Sequence, residues 1–557
     1  MQVKLFHEIL IWPLRLEQLQ VDGQNSSKGS ARNDRLDLWV QQISQQGRWS
    51  IADHYDRGTA KEAVTRYAEF VYFHPFVQRF LYGDGTHPSP IRIMKREDIR
   101  AVKLQMSDQP STPALTLRVP RVHLYVEAQV ALLVLEIAGN GLELAQVLEI
   151  QDRFRRVYPP FWYPAAESKS RDGWKPGDCP ASVTWLNESG EQVGDSADYS
   201  RAETYLNFVR DNKAPPVSAH WAWLMEPLTA YSPSLPPGSL SYRQIVDERI
   251  PALCYLAVDS PEDLKDGDFV RIALQDGAGD SDTLPYARPF LSDFESLYCY
   301  DRFWDRQTGT NDNPKNTRYM GSMNIRYLCC GYGFAAVGSA RNPFFTDEVA
   351  GVLAHFRHHY FQMGLIAHFQ KASLLGFLDR LSDAVATLRR GIPGEFNREE
   401  FRTRVRGIEE ELADFTTRYW FTEVSNQIQP RELFDLWCRH LGTGELYKKV
   451  VEEAARVSEL VRSMQEERQT QVTVRLTMVA ALAGATAVAT SFFAMLIIVD
   501  GLKDLAKRLE WLGLGKGGQE LLLFFLVLLV LVLLLLALIG SKRLARWFTK
   551  LAERELS

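Results

Sequence analysis

Side chains that could hold a metal ion occur in two segments of this 557-residue sequence. His355 and His359 are four residues apart, so on a helix both imidazoles share one face and could ligate one ion. Asp301, Asp305 and Asp312 lie in an acidic, Asn-rich segment whose carboxylates suit a divalent cation, although it lacks the glycine and final glutamate of an EF-hand. The neighbouring aromatic residues favour a packing helix for the histidines, and a surface loop is the favoured interpretation of the aspartates.

A third chemical feature is a set of hydroxyls inside a long apolar run. Residues 476–499 contain no charged side chain, and a helix of that length spans about 36 Å, enough for a hydrocarbon core of about 30 Å. Small residues are frequent in it, which allows close helix packing. As pore-lining positions we predict Thr477, Thr486, Thr490 and, at the outer mouth, Asp500. The alternative for Asp500 is a turn that simply ends the helix.

A second uncharged run, residues 521–540, is almost wholly Leu, Val and Phe and predicts a second span facing lipid. Nine Lys and Arg residues flank the two runs, against four in the loop 500–520 between them. This bias places both termini in the cytoplasm, with residues 541–557 as a basic tail. The two runs form either an inner and an outer ring of helices or a hairpin within one chain.

A stalk helix is predicted over residues 445–475, directly before the first span. Its apolar residues recur at spacings of four and three, typical of a coiled-coil seam: Val450, Ala454, Val457, Val461 and Met464. The same register continues with polar residues: Arg468, Gln471 and Arg475. These form the mouth of a pore if the helix self-associates, or a solvated face if it does not.

Residues 1–345 predict a cytoplasmic α/β domain with a mixed or antiparallel sheet, with a break into two subdomains near 165–240. Glu8 interrupts the only apolar stretch at the N-terminus, so no secretory signal is indicated. Strands are predicted at 101–106, 114–119, 122–126, 130–137, 252–258, 269–273 and 325–337. Residues 214–240 are a Pro-rich connector, and Trp221 and Trp223 within it are expected to pack against a partner subunit.

Residues 346–444 predict a helical domain. Its first helix is expected to begin at Thr346, a capping residue, and to end near residue 390. A second helix follows to about residue 426, and a shorter one covers 431–440.

The overall composition excludes several classes of function. A net charge of −5 without a basic stripe argues against nucleic-acid binding. The six cysteines show neither disulfide nor zinc spacing, which is typical of reduced, buried thiols in a cytosolic domain. We find no phosphate-binding loop, dinucleotide-binding fingerprint or nucleophile elbow, so the sequence specifies no enzyme and no certain cofactor.

In the order of its features from residue 346 onward, the chain resembles the CorA-type divalent-cation (Mg²⁺) transporter superfamily. The resemblance implies a homopentamer whose first span lines the pore and whose cytoplasmic domain senses Mg²⁺. The family's Gly-Met-Asn triplet at the outer end of the first span is replaced here by Ile-Val-Asp-Gly at 498–501. A Ser-Met-Asn sequence at 322–324 lies in the soluble part and cannot act as a filter.

The leading hypothesis is a CorA-like, homo-oligomeric cation channel of the cell inner membrane, gated through its cytoplasmic domain. The partners it implies are membrane lipid, further copies of the chain, and Mg²⁺ or another divalent cation. The alternative is a membrane-anchored sensor or effector, including a stress- or defence-linked pore, without selective metal transport.

Overall fold

The computed structural model describes residues 1–17, 31–52, 59–107, 112–127, 129–164, 174–197, 199, 201–236, 238–304, 324–390 and 398–511, with isolated positions up to 532. The chain forms two compact units, Met1–Val457 and Ser458–Ser557.

Most strands of the first unit belong to one 14-stranded sheet. The strands are β1 Gln2–Leu16, β2 Ser50–Ala52, β3 Arg92–Lys95, β4 Ala101–Gln105, β5 Leu115–Val126, β6 Val130–Glu143, β7 Trp162–Pro164, β8 Trp174–Pro176, β9 Ser182–Leu186, β10 Gln192–Val193, β11 Thr229–Ala230, β12 Ser241–Gln244, β13 Ala252–Val258, β14 Cys299–Tyr300, β15 Arg326–Cys329 and β16 Gly333–Ser339.

The main path of the sheet runs β10-β9-β4-β5-β6-β1-β13-β16-β15-β14, and β7 pairs separately with β8. Neighbours on this path are antiparallel except for β13 and β16, which are parallel. The predicted mixed sheet is therefore confirmed.

Helices lie on both faces of the sheet and then dominate the chain. They are α1 Ala31–Gln46, α2 Ala60–Tyr72, α3 Pro75–Tyr82, α4 Leu144–Arg153, α5 Ala202–Asn212, α6 Ala219–Met225, α7 Asp266–Leu274, α8 Arg288–Tyr298, α9 Pro343–Thr346, α10 Val352–His355, α11 Phe361–Arg390, α12 Arg398–Arg418, α13 Ile428–Leu441 and α14 Thr443–Trp511. The prediction of long helices after the α/β domain is confirmed.

The central strand β1 shows how the sheet is sandwiched. Its side chains alternate, so Phe6, Leu10 and Trp12 join the large core that also contains α4, α6 and α7. His7 points to the other face, where it contacts Glu136 of β6. Both faces of β1 are buried. This explains why the strand is apolar almost throughout rather than alternating with polar residues.

Several predicted elements differ in the structure. The run 269–273 is not a strand but part of α7, whose first turn is closed by a bond from the Lys265 amide to Asp268. A short apolar run does not by itself distinguish a strand from a buried helix. The two strands predicted at 114–126 are one strand, β5, with an irregularity between Arg118 and Arg121.

The connector 214–240 is also more ordered than predicted. It contains α6, where Trp221 and Trp223 are buried in the chain's own core at 0% and 5% exposure. The prediction that they contact a partner subunit was wrong, because the domain's own sheet covers them.

Thr346 ends the short helix α9 instead of capping the next one. The following helix begins at Val352 and passes through a π-helical turn, Phe356–Tyr360, before continuing as α11.

Candidate functional site

Helix α14 carries a candidate membrane span. Within Thr443–Ile498 an 18-residue window has a mean hydropathy of 2.0, and none of that window is buried. Leu482, Val488 and Ile497 are 68%, 70% and 71% exposed. In the part of the chain that the structure describes, nothing covers this apolar surface, and its exposure to water is unfavourable. Length and composition thus support one membrane helix near the C-terminus, where the first span was predicted.

Three of the four predicted pore-lining residues share one face of α14. At about 100° per residue, Thr490 lies about 40° to one side of Thr486 and Asp500 about 40° to the other. All three residues are exposed. Thr477 lies about 180° from Thr486, on the opposite face. One axis can therefore be lined by Thr486, Thr490 and Asp500, but not by Thr477 at the same time.

Two of the three predicted mouth residues continue this face. Arg475 lies about 20° and Gln471 about 60° from Thr486 around the helix axis, and both are exposed. The side chain of Arg468 lies outside the described residues. Arg475, Thr486, Thr490 and Asp500 form what we call the polar stripe.

The hydroxyls of the polar stripe are oriented by the helix itself. The Thr486 hydroxyl donates to the carbonyl of Leu482 at 3.0 Å, and the Thr490 hydroxyl donates to the carbonyl of Thr486 at 2.6 Å. Such bonds use the hydroxyl proton and leave the oxygen as an acceptor. Each hydroxyl could therefore accept a hydrogen bond from water or ligate a cation.

The opposite face of the same helix combines small residues with the bulkier Val488 and Met495. Ala481, Gly484 and Ser491 each lie within about 40° of Thr477 around the helix axis. A Cβ added at Gly484 would meet no atom within 4 Å. Small residues at this spacing permit close approach of another helix.

The first part of the predicted coiled-coil seam is used inside the chain. Val450, Ala454 and Val457 are 0%, 6% and 8% exposed, buried in the first unit. Beside them the ring of Tyr447 stacks on Trp420 with 4.5 Å between ring centroids. These positions are therefore occupied by intramolecular packing and are not open to a second copy.

Among the acidic metal candidates, Asp301 belongs to an ion pair. Its carboxylate accepts hydrogen bonds from Arg326 at 3.0 and 2.8 Å, and Arg326 also contacts Glu295 at 2.6 Å. Burial raises the pKa of Asp301, while Arg326 acts in the opposite direction. Asp305 and Asp312 lie outside the described residues.

His355 and His359 do come together, with ring centroids 4.6 Å apart. His359 lies 3.3 Å from the carbonyl of Ala68 and packs edge-on against Tyr72 at 4.2 Å. Burial lowers the pKa of His359 to about 4 and also lowers that of His355. In the part of the chain that the structure describes, no group of three His, Cys, Asp or Glu side chains could hold a metal ion.

The π-helical turn at 356–360 is a site that the sequence did not predict. Its Arg357 contacts the fully buried Glu136 at 2.6 Å, and Arg121 and His7 approach the same carboxylate at 3.4 and 3.1 Å. Burial alone would raise the pKa of Glu136, but Arg121, His7 and Arg357 together hold it well below its usual range. The next residue, His358, lies 2.7 Å from Glu69 of α2.

This π-helical turn therefore joins the sheet and α2 to the beginning of α11. Turns of this kind occur frequently at functional sites. The residues at 356–360 are visible in the sequence, but their partners are more than 200 positions away, and spacing could not have identified them.

A small cleft lies between the β5–β6 turn and helices α11 and α12. Its lining combines an aromatic floor with a charged rim: Phe369, Phe377, Phe415, Arg15, Arg380, Glu127 and Glu411. Arg380 bonds both Gln129 and Glu411 across it. The rim has two charges of each sign, so it shows no preference for a cationic or an anionic ligand.

Comparison with protein-family models, curated proteins and solved structures gives no significant match for this chain.

Proposed function

We propose that this chain is one subunit of a homo-oligomeric membrane channel or transporter for cations, gated through its α/β domain. The observation that carries the proposal is that Thr486, Thr490 and Asp500 share one face of an exposed, largely apolar helix that is a candidate membrane span. Polar side chains are costly against lipid, so they are expected to face a bundle interior or a water-filled path.

The proposed assembly is a CorA-like homopentamer in the bacterial inner membrane. In it, α14 surrounds the axis, residues 521–540 form a second span facing lipid, and both termini are cytoplasmic. The small-residue face opposite the polar stripe suits contact with this second span.

Cation passage would depend on charge at the two ends of the stripe. A ring of Asp500 carboxylates at the outer end attracts cations, and rings of threonine oxygens replace part of their hydration shell. Arg475 at the inner end repels cations. Gating is therefore assigned to the inner end, where Arg475 has to move away from the axis.

The test is cation flux into liposomes containing the full chain. Thr486→Val with Thr490→Val, and separately Asp500→Asn, should reduce Mg²⁺ flux at least several-fold. The matched control is Thr477→Val, the same substitution on the opposite face, which should leave flux unchanged. Equal flux in all variants would refute the assignment of the polar stripe to a pore.

The second candidate is a membrane-anchored sensor or effector. Two observations favour it: bulky Phe493 and Ile497 lie about 20° from Thr486 on the same face, where they would narrow a path, and the family's Gly-Met-Asn triplet is missing. Native mass spectrometry with and without Mg²⁺ separates the two, because a closed ring is required only for the channel.

A further inference from the structure

The core between β1 and α4 contains charged and polar side chains that have no partner. Both carboxylate oxygens of Glu8 and all three guanidinium nitrogens of Arg155 lack a hydrogen-bond partner among the described residues. Both side-chain atoms of Gln151 are also unpartnered. All three residues are 0% exposed.

Glu8 and Arg155 interact electrostatically, and Gln151 precedes Arg155 by four residues. Gln151 is buried in the last turn of α4, and Arg155 follows the C-cap residue Phe154, whose backbone is still right-handed helical. Arg155 is near enough to influence the ionisation of Glu8, and its guanidinium carbon lies 5.2 Å from the ring centre of Tyr332. We call this group the buried polar chamber.

Among the described residues, no carboxylate is hydrogen-bonded to the Arg155 guanidinium. Burial lowers the pKa of Arg155, but a guanidinium remains protonated at neutral pH even when it is buried. Burial raises the pKa of Glu8 to about 8, although Arg155 acts in the opposite direction, so at neutral pH this carboxyl is largely protonated. The nearby carboxylate of Asp152 is already bonded to Arg156 at 2.8 Å.

Of the described charged groups near Arg155, Asp152 adds a negative charge and Arg249 a positive one. Cys254 lies opposite Glu8 on β13, and burial raises the pKa of its thiol. Burial likewise raises the pKa of Cys330 to about 12 and that of Tyr332 above its usual range. An uncompensated cation in a closed apolar core is strongly unfavourable.

We propose that the buried polar chamber binds a small monovalent anion, chloride or a short carboxylate, between Arg155, Gln151 and the carboxyl group of Glu8. These residues offer three kinds of unpartnered donor: the guanidinium N–H groups, the amide N–H groups and the acid O–H. The anion must be small, because every one of these side chains is closed off from solvent.

The test is thermal unfolding of the full chain in detergent at pH 7, with sodium chloride or sodium formate compared with sodium gluconate at equal ionic strength. Gluconate is too large to be enclosed between side chains that are all fully buried. Chloride or formate should raise the Tm by about 1–3 °C relative to gluconate. Arg155→Met should abolish this difference, and Gln151→Leu should reduce it. A shift with chloride alone or with formate alone identifies which anion fits.

Arg96→Met is the matched control. The Arg96 side chain is 0% exposed like that of Arg155, but its nitrogens are bonded to Asp98, Trp223 and Leu224. This variant should keep the anion-dependent shift whatever its own stability. If Arg155→Met fails to fold, the test rests on Gln151→Leu, in which the anion-dependent Tm shift should be smaller than in the wild type.

A second arm uses pH. At pH 9 the ionised Glu8 repels an anion, so the shift should disappear in the wild type but persist in Glu8→Gln, which keeps a donor. Equal Tm values in chloride, formate and gluconate at pH 7, or a density map with only water in the chamber, would overturn the proposal. None of these outcomes depends on whether the chain conducts ions.

Discussion

Replacing Glu8 with glutamine should change how the stability of the first unit depends on pH. In the folded chain burial raises the pKa of Glu8 from 4.5 to about 8. An acid with a raised folded-state pKa holds its proton when folded and loses it when unfolded. Between pH 4.5 and pH 8 the folded state therefore binds more protons, and stability falls as pH rises through that window. Glutamine cannot titrate, so the variant lacks this loss.

The magnitude follows from the width of the window. The ordinary pKa of 4.5 lies about 2.5 units below pH 7 and about 3.5 units below pH 8. At about 1.4 kcal/mol per unit, the wild type therefore loses about 3 kcal/mol of stability by pH 7 and about 5 kcal/mol by pH 8. For a unit of this size, with an unfolding entropy of about 2 cal/mol/K per residue, 1 kcal/mol corresponds to a Tm change of about 1 °C.

The assay is tryptophan fluorescence during thermal unfolding of the full chain in detergent, from pH 4.5 to pH 8. The quantity to follow is the Tm of Glu8→Gln minus the Tm of the wild type, in which other titrating groups cancel. It should grow by about 3 °C up to pH 7 and by about 5 °C up to pH 8. A difference that stays constant over this range would show that Glu8 does not hold a proton in the folded state, and the reasoning would fail.

Three further outcomes are expected. Glu136→Gln should lower the Tm at pH 7, because it leaves Arg121 and Arg357 without their carboxylate. The loss should shrink below pH 4.5, where the unfolded carboxyl takes up a proton while the folded one stays ionised. A pH-independent loss would contradict this. Trp437→Ala, which removes a buried ring stacked on Phe334 at 4.9 Å, should cost about 3–5 kcal/mol by thermal unfolding, whereas a cost below about 1 kcal/mol would not fit that packing. Val450→Asp should lower the Tm without changing the stoichiometry in native mass spectra, since this seam position is buried in its own chain; dissociation at unchanged Tm would instead show that the seam joins subunits.

The sequence was most informative where the determining interactions are local. Whether a stretch can cross a membrane depends on its own length and hydropathy, so residues 476–499 could be recognised without any tertiary contact. The positions of Thr486, Thr490 and Asp500 on one face also follow from helix geometry alone. The same geometry separates Thr477 from them, a consequence that appears only when the four positions are projected around one continuous helix.

Short buried segments were harder to assign. The run at 269–273 has the composition of a strand, yet it forms part of α7, with Asp268 closing the first turn and Gln275 ending the helix in a left-handed conformation. Both faces of such a segment are covered, so it shows no hydrophobic periodicity. Trp221 and Trp223 present the same difficulty: their size predicts burial, but only the fold shows that the domain itself covers them.

Side chains that are distant in the sequence were brought together by tertiary structure alone. Glu136 meets Arg357 across 221 positions, and Glu69 meets His358 across 289. Glu8 interrupts an apolar stretch in the sequence, but only the burial of β1 beside Arg155 makes its carboxyl retain a proton near neutral pH. Local chemistry thus determined the candidate membrane helix and its polar stripe. The buried charges depend on which strands and helices enclose them, because desolvation is a property of the whole fold.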